Sequence, residues 1–241
     1  MHLFGPRVKL CIWHAGRCGS QVLGDLLNQD SRIVWGGEVL EKYSKAVESA
    51  GESRKGDPVP GALRLLRKAR RRGGRNIFGL EMKYWHLLRL GLTSEWMLDF
   101  LNREGYRYII QERLNLLRLI VSGEVARQTG TRHLKVGDSR RAPAIRIEPD
   151  DMRERVREIE EFYEGIKRLL PDAPRIAFEE DILPDPRIGY RKVMDMLALE
   201  PEEVTVAYRR TNPGKLADIL TNAEEIAASL RDTEYAWMLD E

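Results

Sequence analysis

Val8-Lys-Leu-Cys-Ile-Trp13, His14-Ala-Gly-Arg-Cys-Gly-Ser20 and Gln21-Val-Leu-Gly-Asp-Leu-Leu27 follow one another without a break, and this stretch decides the fold. The first run is short, apolar and β-prone, which predicts a buried strand. The second is a loop with two glycines. From Ser20 onward, Val22, Leu23, Leu26 and Leu27 recur on one face of a helix. Strand, glycine loop, helix is the opening unit of a parallel α/β sheet.

The pattern repeats further along the chain. Ile33–Trp35 reads as a second short strand closed by Gly36-Gly37. Asn76–Met82 and Tyr106–Gln111 read as strands, and Arg175–Phe178 as a short one. Helices are predicted over Ser94–Arg103 with Ser94 as N-cap, Leu114–Gln128 ended by Gly130, and Pro149–Leu170. Asp185–Leu199 and Ala223–Leu230 read as further helices. Between residues 41 and 75 the texture turns polar and then strongly basic, an excursion from the sheet holding one basic helix around Ala62–Arg72. Thr131–Glu148, rich in Arg and without periodicity, reads as a loop. The alternation predicts one α/β domain over residues 1–241, a mainly parallel sheet flanked by helices.

Composition narrows the function. The 241 residues are 42% hydrophobic and 32% charged, enough for a sizeable core and short of a disordered profile. Forty basic against 38 acidic residues leave a net charge of +2, which argues against a general nucleic-acid binder. The only two cysteines, Cys11 and Cys18, match no metal spacing and read as free thiols in a reducing compartment. No apolar run has a membrane span's length, and Met1–Lys9 lacks a signal-peptide core. A soluble, cytoplasmic protein is expected.

The glycine loop is the first candidate site. A strand feeding such a loop into a helix aims free backbone N–H groups at whatever lies beyond the helix start, where phosphates and sulfates bind. Arg17 adds a fork-shaped cation and Ser20 a hydroxyl. A Walker A sequence is absent, since no lysine precedes Ser20, and this counts against an ordinary ATPase or kinase. Taken alone, the loop is equally a plain β–α turn.

Gly16-Arg17-Cys18-Gly19-Ser20-Gln21-Val22-Leu23 resembles the phosphosulfate loop of sulfotransferases, usually P-R/K-S-G-S/T-T-x-L. Here Gly16, Cys18 and Gln21 replace the proline, serine and threonine. Arg113 and Ser122, in RLNLLRLIVSGEVARQTG, resemble the family's 3′-phosphate pair. The stretch is similar to that of bacterial carbohydrate sulfotransferases of the trehalose and Nod-factor type. The resemblance implies a P-loop-like sulfotransferase fold and a donor, 3′-phosphoadenosine-5′-phosphosulfate (PAPS), that leaves as PAP. Arg17, Cys18, Gly19, Ser20 and Gln21 would hold the phosphosulfate, and Arg113 and Ser122 the 3′-phosphate. Lys215, in a segment similar to the family's closing tail, would reach the same phosphate.

The resemblance also makes Glu38, in Trp35-Gly-Gly-Glu38, the base that takes the acceptor proton, with Arg17 assisting the transfer; spacing alone would leave Glu38 a helix-flanking carboxylate. FGLEMKYWHL over Phe78–Leu87 is similar to an acceptor-side segment and offers Lys83 and His86. His133 follows the Q-T-G stretch in the family's histidine position. Either histidine reads equally as a structural side chain. The implied acceptor is a hydroxyl of a carbohydrate or glycolipid, with no metal and no nucleic acid. The basic run from Arg67 to Arg75 is either a solvated helix face or a patch for an anionic acceptor. Three rival readings remain open: an ATP- and magnesium-dependent phosphotransferase, a non-catalytic anion or nucleic-acid module using the basic helix, and a fold relative that binds nucleotide without turnover.

Overall fold

The computed structural model describes residues 8–51, 57–74, 76–130, 134–135, 137–138, 143–209 and 214–239. The elements follow as β1 (Lys9–His14), α1 (Ser20–Gln29), β2 (Ile33–Trp35), α2 (Glu41–Ala50), α3 (Val59–Arg70), β3 (Ile77–Lys83), α4 (Tyr84–Leu90), α5 (Ser94–Arg103) and β4 (Tyr106–Glu112). Then come α6 (Leu116–Thr129), β5 (Leu134–Lys135), α7 (Pro149–Leu169), β6 (Arg175–Ala177), α8 (Pro186–Met196), β7 (Tyr208–Arg209), α9 (Leu216–Ile219) and α10 (Ala223–Leu230). They fall into two compact units: Met1–Glu112 with Tyr163–Val206, and Arg113–Phe162 with Ala207–Glu241.

The first unit holds a five-stranded sheet in the order β2-β3-β1-β4-β6, every neighbouring pair parallel. Parallel strands are covered on both faces, which is why β1 and β3 are buried almost end to end. Leu23, Leu26 and Leu27 of α1 pack with Leu10 and Ile12 of β1 and with Val193 of α8 in one core. In register, His14 stands opposite Lys83 and Ile12 opposite Glu81. The carboxyl ends of β1, β2 and β3 therefore share one edge, and the chain leaves β1 toward β2 and β4 toward β6 on opposite sides. Such a divergence leaves the crevice in which open α/β sheets take ligands.

The second unit contains α6, α9, α10 and the antiparallel pair β5-β7. Asn115 caps α6: its side-chain oxygen accepts the Arg118 N–H at 2.9 Å, while its amide donates to the Met238 carbonyl at 2.9 Å. Asn222 donates to the Ile147 carbonyl at 2.9 Å, fixing the approach to α10.

Several local readings change. The N-cap of α5 is Thr93, whose hydroxyl accepts the Trp96 N–H; Ser94 is already helical. The excursion contains α2 as well as the basic α3. In α2 only Ser44 and Val47 are buried, too sparse an apolar face to show as periodicity. Tyr84–Leu90 forms a helix of its own directly after β3. Leu134–Lys135 pairs with Tyr208–Arg209 inside what reads as loop, and a two-residue strand carries no alternation to detect. Cys11 and Cys18 are free and buried, as expected.

Trp35 is held where β2 ends. A Cβ on Gly24 of α1 would come within 2.3 Å of the indole Nε1, and one on Gly79 of β3 within 2.2 Å of the ring. Those two glycines form the slot that takes the indole. In an open helix, Gly→Ala gains about 1 kcal/mol. Gly24→Ala is expected to reverse that sign, since overpacking costs about 1–3 kcal/mol. A lower denaturation midpoint for Gly24→Ala than for the parent checks the slot.

Candidate functional site

The loop after β1 is built to present backbone donors. Gly16, Arg17 and Gly19 have φ of 96°, 54° and 81°, so three of the four residues between Ala15 and Ser20 are left-handed. For a non-glycine residue such as Arg17 that conformation costs about 1–3 kcal/mol, and it persists where the surroundings over-determine it. The N-cap of α1 is Gly19, which has no side chain to bond the first turn, so the N–H groups there are placed to take an anion.

What over-determines the loop is a ring of buried partners. The Tyr163 hydroxyl accepts the Ala15 N–H at 3.2 Å and donates to the Gln111 carbonyl at 3.2 Å. Trp85 Nε1 donates to the Ala15 carbonyl at 3.0 Å. Gln111 Nε2 donates to the Cys18 carbonyl at 3.0 Å. On the far side, a Cβ on Gly19 would meet Ile182 Cγ2 at 2.6 Å, where a single π turn over Phe178–Ile182 presses against the loop. Only glycine fits there.

Glu81 lies beneath this loop, 4% exposed. Its Oε2 is 3.1 Å from His14 Nε2, and its Oε1 accepts from Trp35 Nε1 at 3.1 Å. Burial opposes the charge on Glu81, but His14 and Ser20 outweigh it and hold its pKa below the ordinary value. Burial likewise opposes an imidazolium at His14; Cys18 and Glu81 override it and push the pKa up to about 10. His14, Glu81, Trp35, Trp85, Gln111 and Tyr163 escaped the sequence reading. The available signal was a carboxylate inside the otherwise apolar strand Ile77–Met82.

The second cluster centres on Glu38. Lys83 Nζ reaches both its carboxylate oxygens, at 3.1 and 3.2 Å. The Lys83 stem also lies over the loop, because a Cβ on Gly16 would meet its Cε at 2.7 Å. The structure thus brings Gly16, Lys83 and Glu38 together. His86 is fully buried; its Nδ1 accepts the Lys83 N–H at 3.4 Å, and its Nε2 faces Glu41 at 3.2 Å and Glu38 at 3.5 Å. Burial would raise the pKa of Glu38, but the hydrogen bond from His86 and the charges of Lys83 and His14 hold it at about 2. Glu38 is ionised at neutral pH.

Among the described residues, Glu38, Glu41 and His86 are the one group whose ligand atoms all lie within 4.8 Å. The donor set fits a metal poorly. The hydrogen bond into Nδ1 puts the ring proton on Nε2, which removes the lone pair a metal needs. Lys83, Lys45 and Arg89 already neutralise the carboxylates.

In the second unit, Arg113 precedes α6 and Ser122 lies within it, both buried at 8% and 6% exposure. Lys215 is exposed at the start of α9, and Arg118 of α6 donates to the adjoining Gly214 carbonyl at 2.7 Å. Gln21 is half-buried in the first turn of α1. His133 lies outside the described residues. In α3 the basic side chains of Arg64, Arg67 and Lys68 are exposed, as are Arg71 and Arg72 just after it, though Arg67 and Arg70 also pair with Glu104.

No family model and no curated protein matches the chain. Among solved structures it is similar to a sulfotransferase from Alicyclobacillus acidocaldarius, with 16% identity over 97% of this chain and 95% of that one, and a TM-score of 0.50. The chain has the sulfotransferase fold. No helix among the described residues is long and apolar enough to cross a membrane.

The His14–Glu81 pair carries a pH signature. The imidazole has a pKa of 6.5 when unfolded and about 10 when folded, so its stabilising contribution is whole below pH 6.5 and fades as pH rises toward 10. Melting temperature is expected to fall across that window. His14→Gln should flatten the slope; an unchanged slope would remove the pair as its source.

Proposed function

We propose that this protein transfers a sulfuryl group from PAPS to a hydroxyl of a carbohydrate or glycolipid, giving PAP and a sulfate ester. The observation that carries the reading is the rigidly held loop of left-handed residues at an uncapped helix start, with the Lys83–Glu38 pair against Gly16. These are donors for a phosphosulfate beside a carboxylate that can take a proton.

The donor supplies an activated sulfuryl group on a phosphate leaving group. The backbone N–H groups of Arg17 to Gln21 and the guanidinium of Arg17 bind and orient that anion. They also stabilise the charge that grows on the departing oxygen, a role in which one donor is worth about 10²–10³ in rate. Glu38 accepts the proton of the acceptor hydroxyl as its oxygen bonds to sulfur and the sulfur–phosphate-oxygen bond breaks. With its pKa near 2, Glu38 in the Lys83 pair is a weak base. An anion on the loop draws the Lys83 ammonium toward itself, and the loosened carboxylate becomes more basic where the hydroxyl arrives. His86, with both nitrogens engaged, holds Glu38 and Glu41 in place. By sequence resemblance, Arg113, Ser122 and Lys215 take the 3′-phosphate. Lys83 faces donor and base together.

A magnesium-dependent phosphotransferase would need free carboxylates near the loop. Glu38 and Glu81 are instead engaged by Lys83, His86, His14 and Trp35.

Transfer of radiolabelled sulfate from PAPS to a panel of glycans and glycolipids tests the reading. Glu38→Gln is expected to slow transfer by about 10²–10⁴-fold while PAP binds as tightly as before or tighter. Arg17→Ala should weaken PAP binding and turnover together. A near-normal rate for Glu38→Gln would place the base elsewhere.

A further inference from the structure

We propose that Glu81 is the positioning residue that aligns the donor loop with the segment carrying Glu38. This rests on the sulfotransferase reading for its consequence in turnover, but the geometry stands without it. The loop begins at His14, and the Glu81 carboxylate faces it there, with Oε2 3.1 Å from His14 Nε2. The same carboxylate accepts from Trp35 at 3.1 Å, three residues before Glu38. The Glu81 backbone N–H donates to the Gly37 carbonyl at 2.9 Å, and Gly36 N–H to the Gly79 carbonyl at 2.7 Å. Pairing with β3 thus continues past the end of β2 up to the residue before Glu38. Gly24 and Gly79 leave room for the indole where its N–H reaches Glu81.

The chemistry of the position calls for a carboxylate. Its side-chain partners are the Trp35 indole N–H and the His14 imidazole, and an ionised carboxylate, a pure acceptor and an anion, suits both. A glutamine of the same shape would turn its NH₂ toward one of them, and at 4% exposure no bulk water is at hand to absorb the mismatch. A single buried charge therefore sets where the phosphosulfate lies and where the proton acceptor lies. A misplacement of about 1 Å at such a site costs about 10²-fold in rate.

Two readouts on the whole chain test this, one of them independent of any donor. Backbone hydrogen exchange is measured on the parent, Glu81→Gln and Trp35→Phe. Glu81→Gln is expected to speed exchange both in residues 15–20 and in residues 36–38, whereas Trp35→Phe speeds it in 36–38 alone. PAP binding and single-turnover transfer are then measured at low temperature, where the variants are folded. Glu81→Gln should weaken PAP about tenfold or more and slow transfer about 10²-fold; Trp35→Phe should slow transfer with PAP affinity within about threefold. If Glu81→Gln merely melts lower, with parental exchange at both segments, the positioning role is overturned. It is equally overturned if Trp35→Phe loosens both segments. If the parent itself binds no PAP, the donor reading fails while the exchange result still decides the role of Glu81. Should Glu81→Gln fail to fold, His14→Gln and Trp35→Phe divide the test, the first loosening only residues 15–20 and the second only 36–38; any other distribution sinks the proposal.

Discussion

The contact on which the site depends is the Glu81 carboxylate, buried at the carboxyl end of a parallel strand, where it accepts from the Trp35 indole and faces the His14 imidazole at 3.1 Å. A buried charge is tolerated only when it is paired and hydrogen-bonded, and removing one partner of such a pair costs about 3–5 kcal/mol. That cost is why the surrounding elements are specified so tightly. β1 must end on His14 and β2 must end on Trp35 for the carboxylate to be satisfied. The left-handed conformations of Gly16, Arg17 and Gly19 are sustained by this frame together with Tyr163, Trp85 and Gln111.

Above the frame, the charges have a second layer of order. Lys83 joins the loop to Glu38, lying against Gly16 through its stem and meeting the carboxylate through its ammonium. Gly16 stands where the family's loop resemblance leads one to expect proline, and the space it leaves is taken by the Lys83 stem. The departure from the usual loop thus coincides with the cation's route across it.

The parts of the molecule that were legible in the sequence are those whose burial is periodic. β1, α1, β3 and β4 announce themselves through apolar runs and a helical stripe, and the parallel order followed from their alternation with helices. α2 was not legible because only Ser44 and Val47 are buried, and β5 and β7 are too short to show alternation. The loop could be singled out because glycines at Gly16 and Gly19 mark left-handed backbone. Glu81 could not be ranked, because nothing in Ile77–Met82 tells which partners will converge on one carboxylate from β1 and β2. His86 reads from sequence either as an acceptor contact or as a structural side chain, and it sits fully buried with both nitrogens turned to Lys83, Glu38 and Glu41.

The central claim is that the site takes a 3′-phosphorylated sulfuryl donor, and nucleotide selection tests it most directly. Thermal melting is followed with PAP, with ADP, and with ATP plus magnesium. A ligand at about 100 times its dissociation constant adds about 2.7 kcal/mol, a rise of about 5–10 °C for a chain of this size. The account predicts that rise with PAP and little with the other two. No shift with PAP, or an equal shift with ADP, would contradict it.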